Sequence, residues 1–120
     1  IGVPTPVHFF DHMQRLNGCD RVQRQFVQYL LELTLLDLRM IRFTSSLLCS
    51  AALMLSNELL GRTRAWPELM VQHARHTEVQ LRPCAEELRA LLDGAPAHWL
   101  QAVRKKFLLP PHHEVAKMRF

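Results

Sequence analysis

The sequence is poor in the groups that most chemistries require. It has 3 cysteines, Cys19, Cys49 and Cys84, an odd number with no Cys-x-x-Cys pair. That pattern argues for reduced, intracellular thiols over a disulfide framework, and it leaves a tetrahedral zinc site short of ligands. The 4 glycines do not cluster, which rules out a glycine-rich phosphate loop. No stretch alternates polar and apolar residues with period two for long enough to demand a strand. The longest apolar stretch, Tyr29 to Phe43, is interrupted by Glu32, Asp37, Arg39 and Arg42, so no segment suits a membrane span. The first residues lack the pattern of a secretory signal. Charge of one sign is scarce as well: the net charge is +4, with Arg and Lys scattered among the acids, a poor footprint for nucleic acid.

What remains is helix. A hydrophobic content of 48%, with frequent Leu, Gln, Glu and Arg, favours an all-α globular protein. Residues 1–120 suffice for a single domain that buries roughly two-thirds of its unfolded surface. The chain opens at Ile1 instead of Met, and residues 1–4 read as a linker; the expectation is a piece of a longer protein.

Ser45 to Leu60, closed by Gly61, organises the rest. On a helical wheel its Leu, Ala, Cys and Met residues occupy almost the whole circumference, leaving a narrow polar strip at Ser46, Ser50 and Asn57. Such a helix needs neighbours on several sides, and Ser50, Ala51 and Ala52 are small enough to let them approach. A first helix opens at Thr5-Pro6 and stops at Asn17-Gly18, with Phe9, Phe10, Met13 and Leu16 on one side. A second starts at Asp20, with Gln23 as capping-box partner. It buries Val22, Phe26, Tyr29, Leu30, Leu33 and Leu36, while Leu31 and Leu35 predict cover on the other face of its C-terminal half.

The connector Asp37–Thr44 is expected to bury Leu38, Met40 or Ile41, and Phe43. After the solvated loop Arg62-Thr63-Arg64, a short helix begins at Pro67-Glu68 and buries Leu69, Met70 and Val71. Thr77 and Gln80 box the start of a fifth helix with a Leu81, Cys84, Ala85, Leu88, Leu92 stripe. Pro83 inside it removes the bond to the Val79 carbonyl and should kink or restart the helix. Gly94 ends it. Pro96 is expected to begin a last helix carrying Trp99, Leu100, Val103 and Phe107, and Pro110-Pro111 to end regular structure, leaving 108–120 as a tail.

Candidate chemistry is thin. His73, His76 and Cys84 do not supply a metal site, and His112-His113 reads as tail polarity. Cys49 and Cys84 lie on apolar stripes, as inert core thiols do. Glu86 and Glu87 point about 100° apart on a helix, so they make no catalytic pair, and Glu86–Arg89 reads as an exposed ion pair. Arg104-Lys105-Lys106 is the one basic cluster and complements a helix C-terminus. No catalytic, cofactor-binding or metal residue is nominated.

One resemblance is specific. The run Tyr29-Leu30-Leu31-Glu32-Leu33-Thr34-Leu35-Leu36-Asp37 followed by the small-residue helix from Ser46 to Ser56 resembles the second cyclin box of A- and B-type mitotic cyclins. Trp66-Pro67-Glu68, Val71-Gln72, Thr77, Leu81, Pro83-Cys84 and Leu88 follow in the same register. Ala95-Pro96, Arg104 and Lys106 continue it, and Pro4-Thr5-Pro6 to Phe10 is similar to the entry into that box. The Leu108-Leu109-Pro110-Pro111 stretch departs from the pattern.

The resemblance implies a five-helix cyclin fold with a buried central third helix plus a short C-terminal helix. It further implies a parent protein that binds and activates a cyclin-dependent serine/threonine kinase in cell-cycle control, located in nucleus or cytoplasm. The family's main kinase contacts lie in an N-terminal cyclin box that no part of this chain matches, so no kinase-binding residue carries over. A face left bare by that absent box invites self-association. The competing expectation is a cyclin-fold transcription factor that binds DNA, which calls for a basic stripe and zinc-ribbon cysteines that this sequence lacks. An enzyme has less support, without a convergent polar cluster.

Overall fold

A computed structural model describes residues 6–98, 101–118 and 120. Six α-helices run in order: α1 Pro6–Asn17, α2 Arg21–Leu33, α3 Ser45–Leu59, α4 Glu68–Ala74, α5 Glu78–Gly94 and α6 Ala102–Phe107. Short 3-10 turns at Thr34–Leu36, Leu38–Arg42, Ala95–Ala97, Pro110–His112 and Val115–Lys117 complete the regular structure, and there is no strand among the described residues. The expected linker 1–4, the Thr5 cap, Trp99 and Leu100 lie outside those residues.

Helix α3 is the axis. Thr44 caps it, its hydroxyl accepting from the Leu47 N–H at 3.2 Å. At the other end Gly61 takes φ +77. There Arg62 N–H donates to Asn57 O at 2.9 Å and Gly61 N–H to Glu58 O at 3.2 Å, so the last carbonyls find partners in a Schellman turn that a side chain at Gly61 would strain. From Cys49 to Asn57 the helix is buried without a break. It packs on α5 through Leu81, Cys84, Ala85 and Leu88, on α2 through Phe26, Val27, Leu30 and Leu33, and on α1 at Met13, all buried. Ala51 and Ala52 are fully enclosed, which lets three helices approach one.

Of the polar strip of α3, Ser50 and Asn57 face inward, while Ser46 is half-buried at the start of the helix. Asn57 and Asn17 exchange side-chain amides in both directions, Asn17 Nδ2 to Asn57 Oδ1 at 2.9 Å and Asn57 Nδ2 to Asn17 Oδ1 at 2.7 Å. Asn57 Nδ2 also donates to Ala65 O at 2.9 Å. Gln23 Nε2 donates to Asn57 Oδ1 at 2.7 Å and to Ser56 Oγ at 2.9 Å. This corrects the expected capping box: Asp20 does cap α2, accepting from Gln23 N–H at 2.7 Å, but the Gln23 side chain is drawn into the core, where unpaired amides would be costly. From outside, Arg62 seals the junction by donating to Asn17 O at 2.6 Å and Gly18 O at 2.8 Å.

Thr77 and Gln80 form a complete capping box on α5. The helix runs on through Pro83 without restarting. Several apolar residues expected in the core are exposed. Helix α2 ends at Leu33, so Leu35 lies on a 3-10 turn and projects outward, and Leu69 and Val22 are also exposed. In the connector Met40 is buried and Phe43 half-buried, whereas Leu38 and Ile41 face solvent. At three residues per turn Leu38 and Ile41 share one edge of the 3-10 turn, so burying Met40 turns both outward.

Pro96 opens only a 3-10 turn, and α6 starts at Ala102. The segment after α6 is packed against the domain. Val115 and Ala116 are buried, and the Phe120 ring lies 5.2 Å from Phe26. His112 Nδ1–H donates to Gln25 Oε1 at 2.7 Å, and its ring lies tilted 4.9 Å from Phe107, which in turn meets Tyr29 at 5.3 Å.

Candidate interaction surface

The groups with nucleophilic or metal-binding potential are dispersed or buried. Burial pushes the Cys49 and Cys84 thiols up to about 12, and raises Cys19, which is half-buried beside Asn17. Cys49 and Cys84 thus remain protonated and unreactive at neutral pH. His73 lies edge-on to His12, ring centroids 5.5 Å apart, while His76 sits at the start of α3 with Nε2 3.4 Å from Ser46 Oγ. Among the described residues no three His, Cys, Asp or Glu side chains converge on one point.

Ion pairs do hold the surface together. Arg89 pairs with Asp93 at 3.1 Å instead of with Glu86 as expected, because Asp93 lies one turn on, on the same face. Arg82 bridges Glu58 at 2.6 Å and Glu78 at 2.7 Å, joining α5 to α3. Of the basic cluster, Lys106 reaches across to Glu32 on α2 at 3.0 Å.

The feature that stands apart is apolar. Leu35, Leu38 and Ile41 are 78%, 82% and 75% exposed and follow one another at three-residue intervals along the α2–α3 connector. Three large aliphatic side chains so exposed within one short connector are unusual on the surface of a lone domain. Their polar neighbours are tied away from them. Arg39 folds back on Asp37, Nη2 to Oδ2 at 2.7 Å, while the Asp37 carboxylate also accepts from Arg39 N–H at 2.9 Å. The Arg39 guanidinium hydrogen-bonded to it, helped by that N–H, holds the Asp37 carboxyl down at about 2. Arg42 is pinned to Glu87 of α5, donates to Arg39 O at 2.7 Å, and covers the Phe43 ring at 4.4 Å. The ridge is thus held by its own charges and not shielded by them.

A smaller patch lies on α5, where Val79, 82% exposed, and Pro83 sit four residues apart between Glu78, Arg82 and Glu86. Pro83 has no N–H for the Val79 carbonyl. The expectation that placed Leu38 inward and left Met40 and Ile41 as alternatives is corrected at Leu38, and of the two alternatives Met40 is the buried one. The three-residue spacing of Leu35, Leu38 and Ile41 suits an α-helix as well as a 3-10 turn, so it gave no signal, and Asp37, extended at φ -136 ψ 111, separates the turn of Leu35 from that of Leu38 and Ile41.

The described residues form an all-α domain built around one enclosed helix, with large aliphatic side chains exposed on the α2–α3 connector. The family described as "Cyclin, C-terminal domain" matches residues 4–119, and the chain belongs to it. It is 31% identical over 107 residues to a G2/mitotic-specific cyclin-B of Marthasterias glacialis, covering 89% of this chain and 28% of that protein. A G2/mitotic-specific cyclin-B2 of Oryzias curvinotus is 32% identical over 110 residues, covering 89% and 28%. The G2/mitotic-specific cyclin-B of Dictyostelium discoideum is 27% identical over 117 residues, covering 97% and 27%. The chain therefore spans less than a third of the length of these curated relatives.

Proposed function

We propose that this domain is the C-terminal box of a mitotic B-type cyclin, whose parent protein binds and activates a cyclin-dependent serine/threonine kinase in nucleus or cytoplasm. Within that protein the domain is a regulatory scaffold, and the principal kinase contacts belong to an N-terminal box. The observation that carries the reading is the agreement of the family match over 4–119 with a core centred on the enclosed α3. The Leu35–Leu38–Ile41 ridge is the face this box turns toward the N-terminal box, which would remove its aliphatic side chains from water.

The test is co-precipitation and histone phosphorylation. A protein carrying both boxes captures a cyclin-dependent kinase and stimulates it, whereas residues 1–120 alone do neither. Stimulation by residues 1–120, or no kinase captured by the longer protein, overturns the proposal.

A further inference from the structure

The junction of α1, α2 and α3 contains an Asn-Gly pair, Asn17-Gly18, set in its buried amide network. An asparagine followed by glycine is chemically labile, because no Cβ hinders attack of the following backbone nitrogen on the side-chain amide carbon. We propose that Asn17-Gly18 is a spontaneous deamidation site that the fold holds shut, and that its conversion irreversibly loosens the α1–α3 junction.

In the reaction the Gly18 nitrogen loses its proton to solvent base and bonds to Asn17 Cγ. The Cγ–Nδ2 bond breaks, ammonia leaves, and a five-membered succinimide forms. Water then adds to either of its carbonyls, giving aspartate or isoaspartate at position 17. Nothing is oxidised or reduced, and water is the sole co-reactant.

The fold opposes the first step at five atoms. Gly18 N–H is committed to Arg15 O at 3.1 Å, in a turn where Gly18 takes φ +70. Asn17 belongs to the last turn of α1, where helical backbone keeps the next nitrogen away from the residue's own side chain. Both side-chain amide atoms are held by Asn57, at 2.9 and 2.7 Å. Arg62 clamps both carbonyls of the pair, Asn17 O at 2.6 Å and Gly18 O at 2.8 Å. Attack therefore requires the end of α1 to open and Arg62 to let go.

The product does not fit the site it leaves. Aspartate offers oxygens alone, so Asn57 Oδ1 and Cys19 Sγ lose the hydrogen bonds that Asn17 Nδ2 donates at 2.9 and 3.3 Å. A carboxylate oxygen then faces the Asn57 carbonyl oxygen in a buried setting, which is unfavourable. Isoaspartate adds a methylene to the backbone where α1 must turn. Each molecule converts once, and because the ammonia is lost the original amide contacts do not re-form. The proposal is independent of the cyclin reading.

To test it, the 120-residue protein and a synthetic peptide spanning Leu16 to Arg21 are aged in mildly alkaline buffer and read by peptide mass spectrometry and isoaspartyl methyl-acceptor assay. Conversion is expected in the Leu16–Arg21 fragment and not at Asn57-Glu58, and about tenfold or more slower in the folded protein than in the peptide. Arg62→Ala and Asn57→Ser should each speed it several-fold in folded protein, and the aged protein should melt below the fresh one. Equal rates in protein and peptide overturn the lock, and no conversion in either overturns the site. Unchanged melting of fully converted protein overturns the switch. The comparison of protein with peptide holds even if a variant fails to fold.

Discussion

At the scale of single residues, the amides decide more than their number suggests. Gln23 makes two buried hydrogen bonds to α3, so Gln23→Ala leaves Asn57 and Ser56 short of a donor and should cost about 1–3 kcal/mol in urea unfolding. A residue that merely boxed the start of α2 would cost less. The pattern Asp20-x-x-Gln23 was legible and the cap it predicted exists, but nothing local says that the glutamine side chain will prefer a partner on α3. Ala52 is the complementary case: its burial was legible because Leu48, Cys49, Leu55 and Leu59 flank it on the wheel. Ala52→Leu should overpack the α3–α5–α2 contact and lower stability by about 1–3 kcal/mol, read as a fall in Tm. Thiol reactivity follows burial: iodoacetamide should label Cys19 first, with Cys49 and Cys84, both raised to about 12 by desolvation, protected until unfolding.

At the scale of elements, α5 and the α2–α3 connector differ in how much of them local rules control. The Thr77–Gln80 box is a purely local device, visible in sequence and present in structure. Thr77→Ala should cost about 1 kcal/mol by differential scanning calorimetry. In the connector the expected burial holds for Met40 and partly for Phe43 but not for Leu38, because a 3-10 turn that buries Met40 leaves Leu38 and Ile41 outside. Asp37 supplies a pH test there. Its carboxyl titrates near 2 in the fold against an ordinary 3.8. A depressed folded value means that its contribution is complete above the ordinary value and fades as pH falls from about 4 through about 2. Asp37→Asn should therefore speed hydrogen exchange at Arg39 and Met40 near neutrality and lessen its acid sensitivity, the difference from the parent vanishing as pH falls to about 2.

At the scale of the whole molecule, exposed ridge and enclosed helix predict different behaviour for one chemical class. Leu38→Asp with Ile41→Asp should leave the melting of residues 1–120 within about 0.5 kcal/mol, since neither side chain is buried here. The same pair should reduce concentration-dependent light scattering of the domain. In a two-box protein the pair should lower Tm under the proposed box–box contact; an unchanged Tm in the longer protein would place that contact elsewhere. Sequence by itself determined the all-α class, the helix order and the enclosure of α3, because periodicity, caps and glycine stops are short-range rules that survive in any environment. Only tertiary structure decided that Gln23 and Asn17 converge on Asn57, that Arg62 closes over them, and that Leu38 and Ile41 stay in water. Those outcomes depend on which of several equally apolar or polar side chains meets a partner from a distant helix, and local spacing carries no information about that meeting.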